Sequence, residues 1–223
     1  VVIPAYNEEN YIAGLLEDLT TQLCANNIAI YIADGGSTDK TIAICQSYSD
    51  RLNLAVITGG SVTVGRNAGL SFVETEYVLF IDADVRLTSN LQLLDTWTAL
   101  KNYRLIGCHV RSASGLSSRV AHTVFNVANS VISLFRPFAV GAFFGARTRD
   151  LREFGGWDET LIHGEDWVLS GKYPTRDFRF CKHAILVDDR RLKKTGYWGM
   201  AKLLILSAWK GEKYMRADQG YWK

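Results

Sequence analysis

A short apolar run that breaks off into polar or acidic residues, followed by a helical pattern, recurs through the first half of this chain. That repetition restricts the fold more than any other feature. Val1-Val2-Ile3 leads through Pro4-Ala5-Tyr6-Asn7-Glu8-Glu9 into a helical run from Tyr11 to Leu23, with Asn7 read as its cap. Ala29-Ile30-Tyr31-Ile32-Ala33 leads into Asp34-Gly35-Gly36-Ser37-Thr38-Asp39 and a helix through Thr41, Ile44 and Cys45, capped by Ser37 or Thr38. Leu54 to Thr58, a helix from Gly65 to Val73 and the strand Tyr77 to Ile81 continue the series. Alternating strands and helices predict an α/β fold, a mostly parallel central sheet flanked by helices. Such sheets bind ligands beyond the carboxyl ends of their strands, where Tyr6, Asp34, Asp82 and Asp84 fall.

The strand end Ile81-Asp82-Ala83-Asp84 carries the most chemistry. Residues two apart on an extended chain point the same way, so the two carboxylates repel unless a cation lies between them. Hard oxygen ligands suit Mg²⁺ or Mn²⁺, which keep some waters and take other oxygens from a substrate phosphate. Alone, the pair also reads as a turn cap; the two other polar strand ends favour the metal. Further on, Phe154-Gly155-Gly156-Trp157-Asp158-Glu159 precedes His163-Gly164-Glu165-Asp166-Trp167. Glu165 and Asp166 either complement the dipole of a first helical turn or supply a general base, whose pKa a nearby cation would hold down.

With 223 residues, 48% hydrophobic and 22% charged, the chain reads as one globular domain: a first half over 1–105, a second over 106–192 and a tail over 193–223. A net charge of +2 without a basic, aromatic-interleaved stripe excludes a nucleic-acid partner. The four cysteines lie far apart with no C-x-x-C, which argues against a zinc knuckle or a disulfide framework and for reduced thiols in the cytoplasm. No linker, repeat or leader segment is visible. Arg119 to Phe135 is helical and largely apolar, but Asn126, Asn129, Arg136 and Pro137 interrupt it, so it is not a membrane span. The Leu- and Trp-rich run in 197–213, with Lys202, Lys210 and Lys213, either packs on the sheet or touches a membrane surface.

Taken in order, Val2-Ile3-Pro4-Ala5-Tyr6-Asn7-Glu8-Glu9, Asp34-Gly35-Gly36-Ser37-Thr38-Asp39, Gly65-Arg66-Asn67-Ala68-Gly69, Ile81-Asp82-Ala83-Asp84, Gly155-Gly156-Trp157-Asp158-Glu159 and Gly164-Glu165-Asp166 resemble the family 2 glycosyltransferases of GT-A fold, from Val1 to about Leu192. The resemblance implies an inverting, metal-dependent glycosyltransferase that moves a single sugar from a nucleotide-sugar, UDP favoured, to a hydroxyl of a carbohydrate or lipid-linked acceptor. It implies work in the cytoplasm or at the cytoplasmic face of a membrane. Pro4, Ala5, Tyr6 and Glu8 would line the base and ribose, and Asp34 would accept a hydrogen bond from the base. Arg66 and Asn67 would lie beside the nucleotide, Asp82 and Ala83 beside the ribose or sugar. Asp84, with Asp82, would hold Mn²⁺ or Mg²⁺ on the diphosphate. Asp166 would be the catalytic base, and Gly145, Trp157 and Glu165 would face the acceptor.

One element departs from the family. Processive members carry Gln-x-x-Arg-Trp after the catalytic acid, whereas this chain has Asp188-Asp189-Arg190-Arg191-Leu192-Lys193-Lys194, which favours single transfer over polymer synthesis. Arg190 and Arg191 either reach the diphosphate, since guanidinium binds phosphate in a bidentate way, or form a solvated basic turn, and the lone His183 is either a further metal ligand or, as a lone histidine more often is, structural. The alternatives are an inactive nucleotide-sugar-binding partner protein and a nucleotidyltransferase. The latter expects a glycine- and arginine-rich loop where this chain has Tyr6-Asn7-Glu8-Glu9.

Overall fold

The computed structural model describes residues 1–112, 115–190, 195–196, 199, 202, 206 and 211–216. Arg191 and most of 197–213 lie outside them, and with them the membrane-contact expectation for that segment. Four parallel strands form one side of a seven-stranded sheet: β1 (Val2–Ala5), β2 (Ile30–Asp34), β3 (Leu54–Thr58) and β4 (Tyr77–Ile81). The sheet continues through β8 (Phe143–Arg147), β6 (Leu105–Gly107) and β9 (Phe178–Phe180), in the order β3-β2-β1-β4-β8-β6-β9. Only β8 runs against the others. A small second sheet pairs β5 (Arg86–Leu87), β10 (Ile185–Val187) and β7 (Val110–Ser112).

Strand alternation sends Ile3, Ile32, Leu79 and Ile81 into one buried cluster and Val2, Val78 and Phe80 into another on the opposite face. A strand covered on both faces needs an unbroken apolar run, which is why β4 reads Tyr-Val-Leu-Phe-Ile. Helix α1 (Ile12–Thr20) buries Ile12, Leu15, Leu16 and Leu19, a spacing of three and four residues that places them on one face. Each contributes roughly 1.5–3 kcal/mol on leaving water. α2 (Thr41–Gln46) follows β2, and α3 (Val62–Phe72) lies across β1. That approach requires Gly69: a Cβ there would stand 2.2 Å from Val2 Cγ1. The remaining helices are α4 (Gln92–Leu100), α5 (Leu116–Ile132), α6 (Thr148–Glu153) and α7 (Glu165–Ser170), followed by a short helix Glu212–Met215. Among the described residues no helix is long and apolar enough to cross a membrane.

The cysteine expectation fails. Cys108 and Cys181 form a disulfide across 73 residues, and only Cys24 and Cys45 are free. The cause is strand register: β6 and β9 are parallel neighbours with Gly107 opposite Phe180, so the next residue of each strand arrives beside its partner. Sequence spacing carries no trace of that adjacency.

Candidate active site

The loops after β1 and β2 are laced together. Asn7 takes a left-handed backbone, φ 53°, a conformation asparagine tolerates better than most residues. Its Oδ1 accepts from the Thr38 N–H at 2.9 Å, and its own N–H donates to Ser37 Oγ at 3.0 Å. Asn7 and Ser37 therefore clasp each other instead of capping helices; Asp39 Oδ1 accepts from the Thr41 N–H that opens α2. Pro4 sits within β1 opposite Ala33, and the ladder to β4 is confined to Val2 and Phe80, since proline has no N–H to extend it. The Ala5 carbonyl accepts from Gly35. The Asp34 carboxylate accepts from the N–H groups of Gly36 and Ser37, and Tyr6 projects into solvent.

After Ile81 the chain leaves the strand and turns, the Val85 N–H donating to the Asp82 carbonyl. The two-residue alternation ends there, so Asp82 and Asp84 face different cations. Asp82 Oδ1 lies 2.8 Å from Arg66 Nη2, and Arg66 Nη1 lies 2.8 Å from Glu165 Oε1. The Arg66 guanidinium is buried over the Trp157 ring, 4.4 Å from its centroid. Burial pulls against its charge, but Asp82 and Glu165 outweigh that and hold its pKa above the ordinary arginine value. Asp84 Oδ2 instead lies 3.0 Å from Arg190 Nη2, and the same guanidinium grips Glu8 at 2.5 and 2.9 Å and covers the Tyr11 ring at 4.6 Å.

Asp166 stands next to this network. Its Oδ2 accepts from the Gly141 N–H at 2.8 Å, and its Oδ1 from the Trp167 N–H at 2.8 Å. Gly141 in turn lies against Arg66, where a Cβ would come within 2.7 Å of Nη2. Burial first, then the Glu165 carboxylate, lift the Asp166 pKa well above the carboxylate range. The Gly141 N–H, Arg66 and the Trp167 N–H pull the other way. Sequence reasoning expected a cation to hold this acid low; the nearest one, Arg66, is already shared between two other carboxylates.

Several of the expected site residues make extensive contacts within the protein. Trp157 is 1% exposed and packs on Phe80 and Phe144. Asn67 binds the backbone of Trp157 through both amide atoms and donates to Glu159 Oε1, so it pins that loop. Gly145 lies within β8 between Leu79 and Ile106, Glu165 is spent on Arg66, and Ala83 is buried with only backbone to offer. His183 pairs with Asp95 on α4, away from the site. Sequence reasoning missed Gly141 and Tyr11, which act through a backbone N–H and a ring face and leave no signature in a motif.

A divalent ion fits here in one way. Among the described residues no three acidic, histidine or cysteine side chains converge on a point, and Asp82 is held by a buried arginine. Asp84 pairs with the partly exposed Arg190, and one or two carboxylates completed by substrate phosphates suffice for Mg²⁺ or Mn²⁺.

The glycosyl transferase family 2 model matches residues 1–152. A poly(ribitol-phosphate) β-N-acetylglucosaminyltransferase, TarS, of Staphylococcus aureus (strain Mu50) is 37% identical over 89 residues, 38% of this chain and 16% of the relative. The crystal structure of S. aureus TarS 1-349 in complex with UDP-GlcNAc superposes with TM-score 0.65 at 22% identity, covering 84% of this chain and 57% of that one. The mannosyltransferase PcManGT from Pyrobaculum calidifontis, in complex with GDP-Man and Mn²⁺, superposes with TM-score 0.69 at 18% identity, covering 91% and 63%. The chain thus spans less than two-thirds of the length of these proteins, and the structural likeness is one of fold. With the family match covering most of its residues, the chain belongs to glycosyl transferase family 2.

Proposed function

We propose that this chain is the donor-binding and catalytic core of a glycosyltransferase that moves a single sugar from a nucleotide-sugar, a UDP-sugar by preference, to a hydroxyl of a carbohydrate or lipid-linked acceptor, with inversion. The observation that carries this reading is the pair of carboxylates at the end of β4, Asp82 held by Arg66 and Asp84 by Arg190 together with Glu8 of the β1 loop, with Asp166 fixed by the Gly141 N–H against the Arg66 side. The nucleotide-sugars and Mn²⁺ bound by the solved neighbours support a donor and ion of that class.

Asp84 would hold the divalent ion, which when bound offsets the negative charge that builds on the departing diphosphate. Arg190 then turns from Asp84 to the phosphate oxygens, for which its planar fork is suited. Pro4, Ala5, Tyr6, Glu8 and Asp34 edge the cleft that takes the nucleoside. Asp166 accepts the proton of the acceptor hydroxyl as the oxygen attacks the anomeric carbon opposite the leaving group; a single displacement of this kind inverts that centre. The Gly141 N–H keeps the reacting carboxylate aimed, and burial makes it a stronger base than a solvated aspartate.

The test is donor turnover with a panel of UDP- and GDP-sugars and Mn²⁺. Asp166→Asn should bind donor as well as wild type and lose about 10²–10⁴-fold in turnover. Undiminished turnover would remove Asp166 as the base. Failure of every nucleotide to raise the unfolding temperature would favour a partner protein without catalysis.

A further inference from the structure

Helix α5 is turned inside out relative to an ordinary surface helix. Its polar side faces the protein: Asn126 brackets the Val110 backbone, its Oδ1 accepting at 3.0 Å and its Nδ2 donating at 2.7 Å. One turn on, Asn129 Nδ2 donates to the Phe138 carbonyl and Ser130 Oγ meets His109 Nε2. The apolar side faces outward. Leu116, Val120, Val124, Val127 and Val131 follow steps of four and three residues, so they form one stripe, and each is more than half exposed. Leu134 and Phe135 extend it past the helix end at 71% and 82% exposed. Soluble proteins rarely leave so continuous a patch uncovered without a use for it.

The charge around the stripe names the occupant. Between Asp95 and Asp150 the sequence has no acidic residue, while Arg119 in the first turn of α5 and Arg136 just past its end are exposed, the latter with its guanidinium resting over the Trp167 ring. We propose that this face docks on an anionic lipid bilayer, with α5 lying in the plane of the interface, valines toward the acyl chains and arginines toward the headgroup phosphates. A second copy is the poorer occupant, because an isologous contact would bring the same basic rim against itself with no acid in that stretch to answer it. The chain from Ile132 leads within nine residues to Gly141, whose N–H holds Asp166. Docking would therefore bring that side of the cleft to the lipid surface, whatever reaction it performs.

The 223-residue chain is sedimented with vesicles of phosphatidylcholine alone or mixed with phosphatidylglycerol, beside a Val124→Asp/Val127→Asp variant. Binding should favour the anionic vesicles by at least about tenfold, weaken in high salt, and fall by about tenfold or more in the variant at an unchanged unfolding temperature. If the double variant does not fold, Val120→Asp takes its place. Wild type that stays off anionic vesicles, or a folded variant that binds them equally, overturns the proposal. So does a lipid-free dimer, seen by light scattering, that the variant splits, because the occupant is then a second copy.

Discussion

Arg66 and Arg190 are built alike and set at different depths. Each guanidinium takes one aspartate of Asp82-Ala83-Asp84, bridges it to a glutamate distant in sequence, and lies over an aromatic ring. The inner side chain is 2% exposed and the outer 40%. Depth decides what each can do. Withdrawing a buried cation leaves two partly enclosed carboxylates close together without a counter-charge, so Arg66 is a fixed part of the fold. A partly exposed ion pair is screened and exchanges with water at small cost, so Arg190 can let go of Asp84 when a better-charged ligand arrives.

The largest effect should come from breaking the inner unit. Arg66→Met strands Asp82 and Glu165 and should destabilise the protein by about 3–5 kcal/mol in urea unfolding. A loss near that of an exposed pair would mean the two depths are equivalent. Next, a nucleotide at a hundred times its Kd adds about 2.7 kcal/mol. The Mn²⁺-dependent part of that increment should vanish in Asp84→Asn and survive in Asp82→Asn; loss in both would put the ion on both aspartates.

Asp166 probes the inner unit through pH. Its folded pKa is raised by burial, so the folded state holds a proton that the unfolded chain gives up near pH 4. Wild type should lose stability as pH rises above that point toward the raised pKa, by at most about 1.4 kcal/mol per unit. Asp166→Asn should show a flatter profile; identical slopes would exclude Asp166 as the source. Smallest is Arg190→Met, expected to cost less than about 1 kcal/mol while strengthening Mn²⁺ binding, as calorimetric titration would report. Weaker Mn²⁺ binding would show that Arg190 organises the ion site instead of competing for it.

The strand-turn-helix series and its acidic strand ends were readable because both come from local patterning. An apolar run bounded by glycine and aspartate has few alternatives, and the position of ligands above a parallel sheet follows from topology. Arg190 was picked out by its chemistry, although its present partners, Glu8 and Asp84, were not. The contacts of Trp157 and Asn67 with the protein itself were not readable, because an aromatic residue and an amide look the same in sequence whether they meet a ligand or brace a loop. α5 misleads in another way: its periodicity marks a helix correctly, but periodicity cannot say which face turns inward. α1 buries its apolar stripe, whereas α5 turns its asparagines inward.

Local order was thus written in the chain: where strands end, where helices follow, and which residues stand at the strand ends in the manner of family 2. Tertiary structure alone decided depth and adjacency. It chose which aspartate faces a buried cation, joined Cys108 to Cys181 through the register of β6 and β9, and lifted the Asp166 pKa by enclosing it. Desolvation and long-range contact depend on what the rest of the chain places around a residue, and that is absent from the residue's own neighbourhood in sequence.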